Sequence, residues 1–121
     1  MEADDRAGRR AGEGTLPQLP AAALQGAASL GGIGLRAGHL VVGLSAVRRT
    51  SDLALVLLVA GISPHTRREL ASLVRRGVRV FQVDDLEPLA APMGRPGIRV
   101  LGIKAGPFAS GMARRLGVNL D

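Results

Sequence analysis

The side chains able to do chemistry in this chain are few and scattered. His39 and His65 stand without a carboxylate or a second ligand at motif spacing, so they read as surface imidazoles and not as a metal pair. Ser45 and Ser63 lack the setting of a strained nucleophile turn. Asp84-Asp85 follows an apolar run, as the acidic pair of a magnesium-dependent phosphoacceptor would. No partner lysine or further carboxylate comes in the usual order, and capping of a short helix explains the pair better. Gly32-Ile33-Gly34-Leu35-Arg36-Ala37 matches a dinucleotide-binding pattern, with Asp52 about twenty residues on. That pattern needs a strand immediately before it and the acidic residue at the end of a second strand. Here Ala21 to Leu30 is alanine-rich and helical, and Asp52 precedes the next strand. The expectation is a protein with no enzyme activity, no cofactor, no metal and no small-molecule substrate.

Residues suited to binding are better grouped. Gly43 to Thr50 reads as a short helix with Leu44 and Val47 inward and Arg48 and Arg49 outward; free N–H groups at its amino end, beside Gly43, make an anion site. Leu53 to Val59 is an unbroken apolar run, the mark of a strand covered on both faces. It ends in Ala60-Gly61-Ile62-Ser63-Pro64, which puts an apolar side chain on a small turn beside a helix start. Loops at the carboxyl ends of such strands are where binding sites form. The formal charge is +6, and all the basic residues but Lys104 are arginine. Such a balance favours a polyanionic partner, although solubility charge alone would give the same number.

These groups need elements to hold them. A chain of 121 residues fits one domain with a real core, here built from Leu, Val, Ile and Ala because the only aromatic rings besides histidine are Phe81 and Phe108. The absence of cysteine excludes a disulfide framework and thiolate metal sites. No run approaches the roughly 20 apolar residues of a membrane span. The opening residues carry mixed charge with no apolar segment behind them, so a cytoplasmic protein is expected. Residues 1–20 are expected to be a disordered basic and polar tail, with Arg6, Arg9 and Arg10 solvated, and residues 21–121 the domain.

Within it, Ala21 to Leu35 reads as a helix starting after Pro20, weakened by glycines that each cost about 0.8–1 kcal/mol and so dependent on close packing. Arg36-Ala37-Gly38-His39 is a helix end, and Leu40-Val41-Val42 a short strand. Ser63-Pro64 or Thr66-x-x-Glu69 caps a further helix with Leu70, Leu73 and Val74 as its core stripe, ended by Gly77. Its Arg67, Arg68, Arg75 and Arg76 read as a solvated face. Val78 to Val83 is a strand, Asp84 or Asp85 caps a short helix to about Met93, Ile98 to Ile103 is another strand, and Phe108, Met112 and Leu116 stack along a last helix. Strands alternating with helices give an α/β domain with helices on both sheet faces.

Arg36-Ala37-Gly38, Gly43, Ser63-Pro64 with Thr66, Met93-Gly94-Arg95 and Phe108-Ala109 fall in the register of one family. From about Ala21 to Leu116 the chain resembles the kink-turn RNA-binding ribosomal superfamily (the L-seven-Ae and L-thirty-e type), particularly its small bacterial members. The resemblance implies a three-layer α/β/α sandwich with a small mixed sheet of about four strands. It also implies binding to a sharply bent RNA carrying sheared G·A pairs, in the ribosome or another structured RNA. In the family the amino end of the second helix enters the groove at the kink, and the loop after the central strand covers an extruded nucleotide, the kind of base proteins can read in RNA. Carried onto this sequence, the first element is Gly43, Leu44, Ser45, Ala46, Val47, Arg48 and Arg49, and the second is Gly61, Ile62, Ser63 and Pro64. Ile62 would touch the splayed base, Arg49 stands where the family has a basic residue, and Arg36, Gly38 and His39 are expected beside it.

The departures carry meaning. Archaeal-type members place an amide at the position of Ser45 and a carboxylate at that of Ala46, both reading guanines; a hydroxyl keeps one hydrogen bond and alanine none. Direct base contacts are worth about 1–3 kcal/mol each in discrimination, so a less selective binder resting on arginine and backbone contacts to phosphate is implied. The bacterial pattern has lysine where this chain has His39 and glutamate where it has Leu44, and the acidic pair before the loop's apolar residue is here Ala60-Gly61. The alternative is a protein-interaction domain of the same fold, with Leu44 and Ile62 as its apolar contact.

Overall fold

Four strands form one mixed sheet in the order β1-β4-β2-β3: β1 (Leu40–Val42), β2 (Leu53–Val59), β3 (Arg79–Val83) and β4 (Val100–Lys104). The computed structural model that shows this describes residues 16–120. β2 and β3 are parallel, whereas β4 runs antiparallel to both its neighbours, β1 and β2. Three strands therefore end where β4 begins. The helices are α1 (Ala21–Gly26), α2 (Ser29–Arg36), α3 (Leu44–Arg49), α4 (Pro64–Ala71), α5 (Glu87–Met93) and α6 (Pro107–Leu116), with a 3₁₀ turn at Ser72–Arg76. Among the described residues no helix is long and apolar enough to cross a membrane.

The apolar run of β2 is explained by its two faces. Leu55 and Leu57 join Phe81, Leu101, Ile103, Leu24, Leu89 and Met112 in one core, beneath α1, α2, α5 and α6. Val56 and Leu58 join Val80, Val100, Val47, Ile62 and Leu70 in the other, beneath α3 and α4. Leu55 to Leu58 are all fully buried, and each such side chain contributes about 1.5–3 kcal/mol. The expected sandwich of helix, sheet and helix layers is what forms.

Local departures from the expected elements have physical causes. The helix over Ala21 to Leu35 breaks at Ala27–Ala28, where Ala27 and Ala28 N–H groups bond three residues back, to Leu24 and Gln25. The glycines of α2 admit neighbours: a Cβ on Gly31 would lie 2.5 Å from the Leu89 carbonyl oxygen, and one on Gly34 2.4 Å from the Phe108 ring. The G-x-G-x-x-A stretch thus belongs to a packed helix, with Ala37 at its C-cap, and not to a strand-to-helix turn. After α4 the chain tightens into the 3₁₀ turn, which leaves Val74 39% exposed and limits the core stripe to Leu70 and half-buried Leu73.

The boundary expected at residue 20 moves. Residues 1–15 lie outside the described residues, but Leu16 and Leu19 are buried and residues 17–19 are bonded to β3. Two leucines three apart can each plug a different core once their backbone lies along the sheet edge.

Candidate nucleic-acid interface

Position follows from strand direction. Gly43 ends β1 and donates its N–H to the Val100 carbonyl at 2.9 Å; the turn after β2 reaches the same end, where the Val59 N–H donates to the Arg99 carbonyl at 3.0 Å. Glycine suits both chain reversals, with φ of 92° at Gly43 and 90° at Gly61. From there α3 and α4 run back side by side over the same face of the sheet. A Cβ on Gly102 of β4 would meet Val41, Leu53 and Val47 side chains at 2.8–3.2 Å, so the bare glycine lets α3 lie directly on the sheet.

Between the two helix starts is an open notch of ≈ 360 Å³, lined by Gly43, Leu44, Ile62, Thr66, Arg99 and Val100. Its volume is at the small end of the range for ligand sites, about 300–1,000 Å³, and its walls are predominantly apolar. The glycine-led helix start and the isoleucine turn are thus neighbours. Ile62, at 8% exposed, is the floor of the notch and part of the core.

Two arginines hold the turn that carries this floor. Arg99, on the rim, donates from Nη2 to the Gly61 carbonyl at 3.4 Å, and Arg67 from Nη2 to the Ile62 carbonyl at 3.4 Å. Both contacts are long for N–H···O bonds, and the Arg67 Nε is buried without a hydrogen-bond partner. Arg67 is half-buried here and not on a solvated face. Arg49 reaches one turn back along α3 and donates from Nη1 to Ser45 Oγ at 2.6 Å. That brings its guanidinium to Ser45 in the first turn of α3. Ser63 caps α4, its Oγ accepting the Thr66 N–H at 3.2 Å with Pro64 following in the first turn; the Thr66–Glu69 alternative is not used. No side chain caps α3.

Other expected site residues lie elsewhere. Arg48 turns toward α4 and forms an ion pair with Glu69 through both its Nε and its Nη2, the latter bond 2.7 Å to Oε1. The hydrogen bond from Arg48, together with its charge, holds the Glu69 carboxyl below the usual carboxylate range and raises the guanidinium in turn. Arg48 is therefore committed to a bridge between the two helices.

Arg36, Gly38 and His39 precede β1 at the opposite end of the sheet, where the His39 carbonyl accepts the Lys104 N–H. The three residues of β1 lie extended between His39 and Gly43, four steps that span about 13 Å. The His39 ring is stacked on Phe108 of α6, centroids 5.0 Å apart, which belongs to the other helix layer. The expectation that Arg36 and His39 stand beside Arg49 at one site is corrected on this geometry. His65, at the start of α4, is in a different layer from His39, and among the described residues no three metal-ligating side chains gather.

Arg99 was not singled out by sequence. Its only signal is a cation directly before a strand, and its place on the notch depends on β4 being inserted antiparallel between β1 and β2.

No family model matches the chain, and no curated protein matches it. Among solved structures, it is similar to a protein with unknown function from Bacillus halodurans, at 23% identity and a TM-score of 0.61, over 79% of this chain and 98% of that one. It is also similar to the Giardia lamblia 15.5kD RNA binding protein, at 18% identity and a TM-score of 0.50, over 78% of this chain and 79% of that one. At these identities the likeness is one of fold: the α/β sandwich built here on β1-β4-β2-β3 is shared with both.

Proposed function

We propose that this chain is a non-catalytic RNA-binding protein of the cytoplasm that grips a bent, kink-turn-like element of ribosomal or other structured RNA at the notch between α3 and α4. The observation that carries the reading is the pairing of an apolar floor, Leu44 and Ile62, with the Arg99 guanidinium on its rim; Arg49, bonded to Ser45 in the first turn of α3, adds a second guanidinium on the helix that leads out of the notch. An unstacked base offers a flat apolar face for the floor, and its flanking phosphates offer acceptors for the arginines. Gly43 and Leu44 at the uncapped start of α3, and Ile62 and Thr66 at the start of α4, line the same opening. The fold shared with the Giardia lamblia RNA binding protein and the charge of +6 support the class of partner. Ser45 is already engaged by Arg49, and Ala46 has no polar group. Affinity then rests on phosphate contacts more than on base edges.

A gel-shift comparison of a kinked RNA with a straight duplex of equal length tests this, repeated at rising salt. The kinked RNA is expected to bind more tightly, and log K to fall by about 0.7–0.9 per phosphate contact for each log unit of salt. Equal binding of the two RNAs would remove the kink from the reading. Absence of binding at low salt would remove RNA and leave the notch to a protein partner.

A further inference from the structure

The outer edge of β3 is covered by its own chain. Residues 17–19 run parallel to it, with the Gln82 N–H donating to the Pro17 carbonyl at 2.8 Å and the Leu19 N–H donating to the Gln82 carbonyl at 2.9 Å. Side chains repeat the link: Gln82 Nε2 donates to Gln18 Oε1, and Gln18 Nε2 to Asp84 Oδ1, each at 3.0 Å. Leu16 sits in the core beneath α3 and α4, and Leu19 in the core on the other side of the sheet. This short strap therefore clasps the sheet edge from both faces.

The strand beneath it needs such cover. Arg-Val-Phe-Gln-Val, Arg79–Val83, has one charge, at its first residue, and neither proline nor glycine. Edge strands of that make-up are templates for another chain unless something occupies them. Outward backbone groups recur at every second residue of a strand, so Val80 and Gln82 turn to the same side. Two copies related by a two-fold axis would lay this strand antiparallel to itself, placing the Arg79 of each copy opposite the far end of the other's strand. Like charges would then be about 13 Å apart and would not oppose pairing.

We propose that residues 16–20 are a releasable guard, and that freeing them lets two copies of this chain join through their β3 edges, continuing one four-stranded sheet into the next. The inference stands apart from RNA binding, since it concerns the sheet edge and not the notch. The test uses the full chain carrying Leu16→Ser and Leu19→Ser together, with mass measured by light scattering over a concentration series and fold followed by circular dichroism. The variant is expected to double in mass relative to the unaltered chain. Gln82→Pro added to it should abolish the doubling, because the lost N–H faces the strap and not β2. A folded variant that keeps the mass of the unaltered chain overturns the proposal, as does a doubling that survives Gln82→Pro. Should the double variant unfold, Leu19→Ala alone is read the same way. Unfolding there too would also overturn it, because the strap would then be an obligatory part of the core.

Discussion

Replacing Arg99 with alanine separates the proposed interface from the general charge of the molecule. The side chain is exposed on the notch rim and its bond to the Gly61 carbonyl is long, so water can replace it and the fold should lose within about 0.5 kcal/mol. A hydrogen bond to a charged group contributes about 1.5–3 kcal/mol net. A rim position argues for the lower end, which corresponds to roughly a tenfold weaker complex with kinked RNA. Losing one phosphate contact should also flatten the plot of log K against log salt by about 0.7–0.9. Arg75→Ala is the matched control: the same charge is removed, from the 3₁₀ turn that leads into the far end of β3. Fluorescence anisotropy with labelled RNA across a salt series reads both quantities. Equal losses for the two variants, or an unchanged slope for Arg99→Ala, would refute the assignment.

Three further outcomes are expected. Arg49→Glu should lower affinity for kinked RNA more than Arg75→Glu does, because Arg49 folds back onto the first turn of α3; competition binding measures the ratio. Gly31→Ala should destabilise despite improving helix propensity by about 0.8–1 kcal/mol, since the new methyl group meets a backbone carbonyl at 2.5 Å and overpacking costs about 1–3 kcal/mol; urea denaturation gives the sign. The pairing of Glu69 with Arg48 stabilises the folded chain above the ordinary glutamate range, because the folded carboxyl titrates lower than the unfolded one, and this stabilisation is lost as pH falls through the folded value. Glu69→Gln should therefore be less stable than the parent at neutral pH and lose less on acidification, as thermal melts from pH 7 to pH 3 would show.

Much of the fold was legible because single elements carry strong local signals. The uninterrupted run of β2, the Ser63-Pro64 helix start and the alternation of Val78, Val80, Phe81 and Val83 between two cores all follow from period and capping. What escaped depends on distant parts of the chain. Ala27 and Ala28 are good helix formers, and Gly26, which ends α1, is one of several glycines in the stretch, so no local signal singles out this break. Leu16 and Leu19, among prolines and polar residues, look like linker until the β3 edge is there to receive them. Closeness in sequence misled at His39, which precedes Gly43 by four residues yet lies across the sheet from it because those residues are extended. For Arg99 the reverse holds: it is far from Gly61 in sequence and brought to it by the insertion of β4.

The central claim is the location of the RNA. Titrating isotopically labelled protein with a kinked RNA, and following backbone amide resonances, reads that location directly. The largest shifts are expected at Gly43 to Ser45, Gly61 to Thr66 and Arg99 to Val100, around one opening. Shifts gathered instead at Gly38, His39 and Lys104, on the far side of the sheet, would contradict the account.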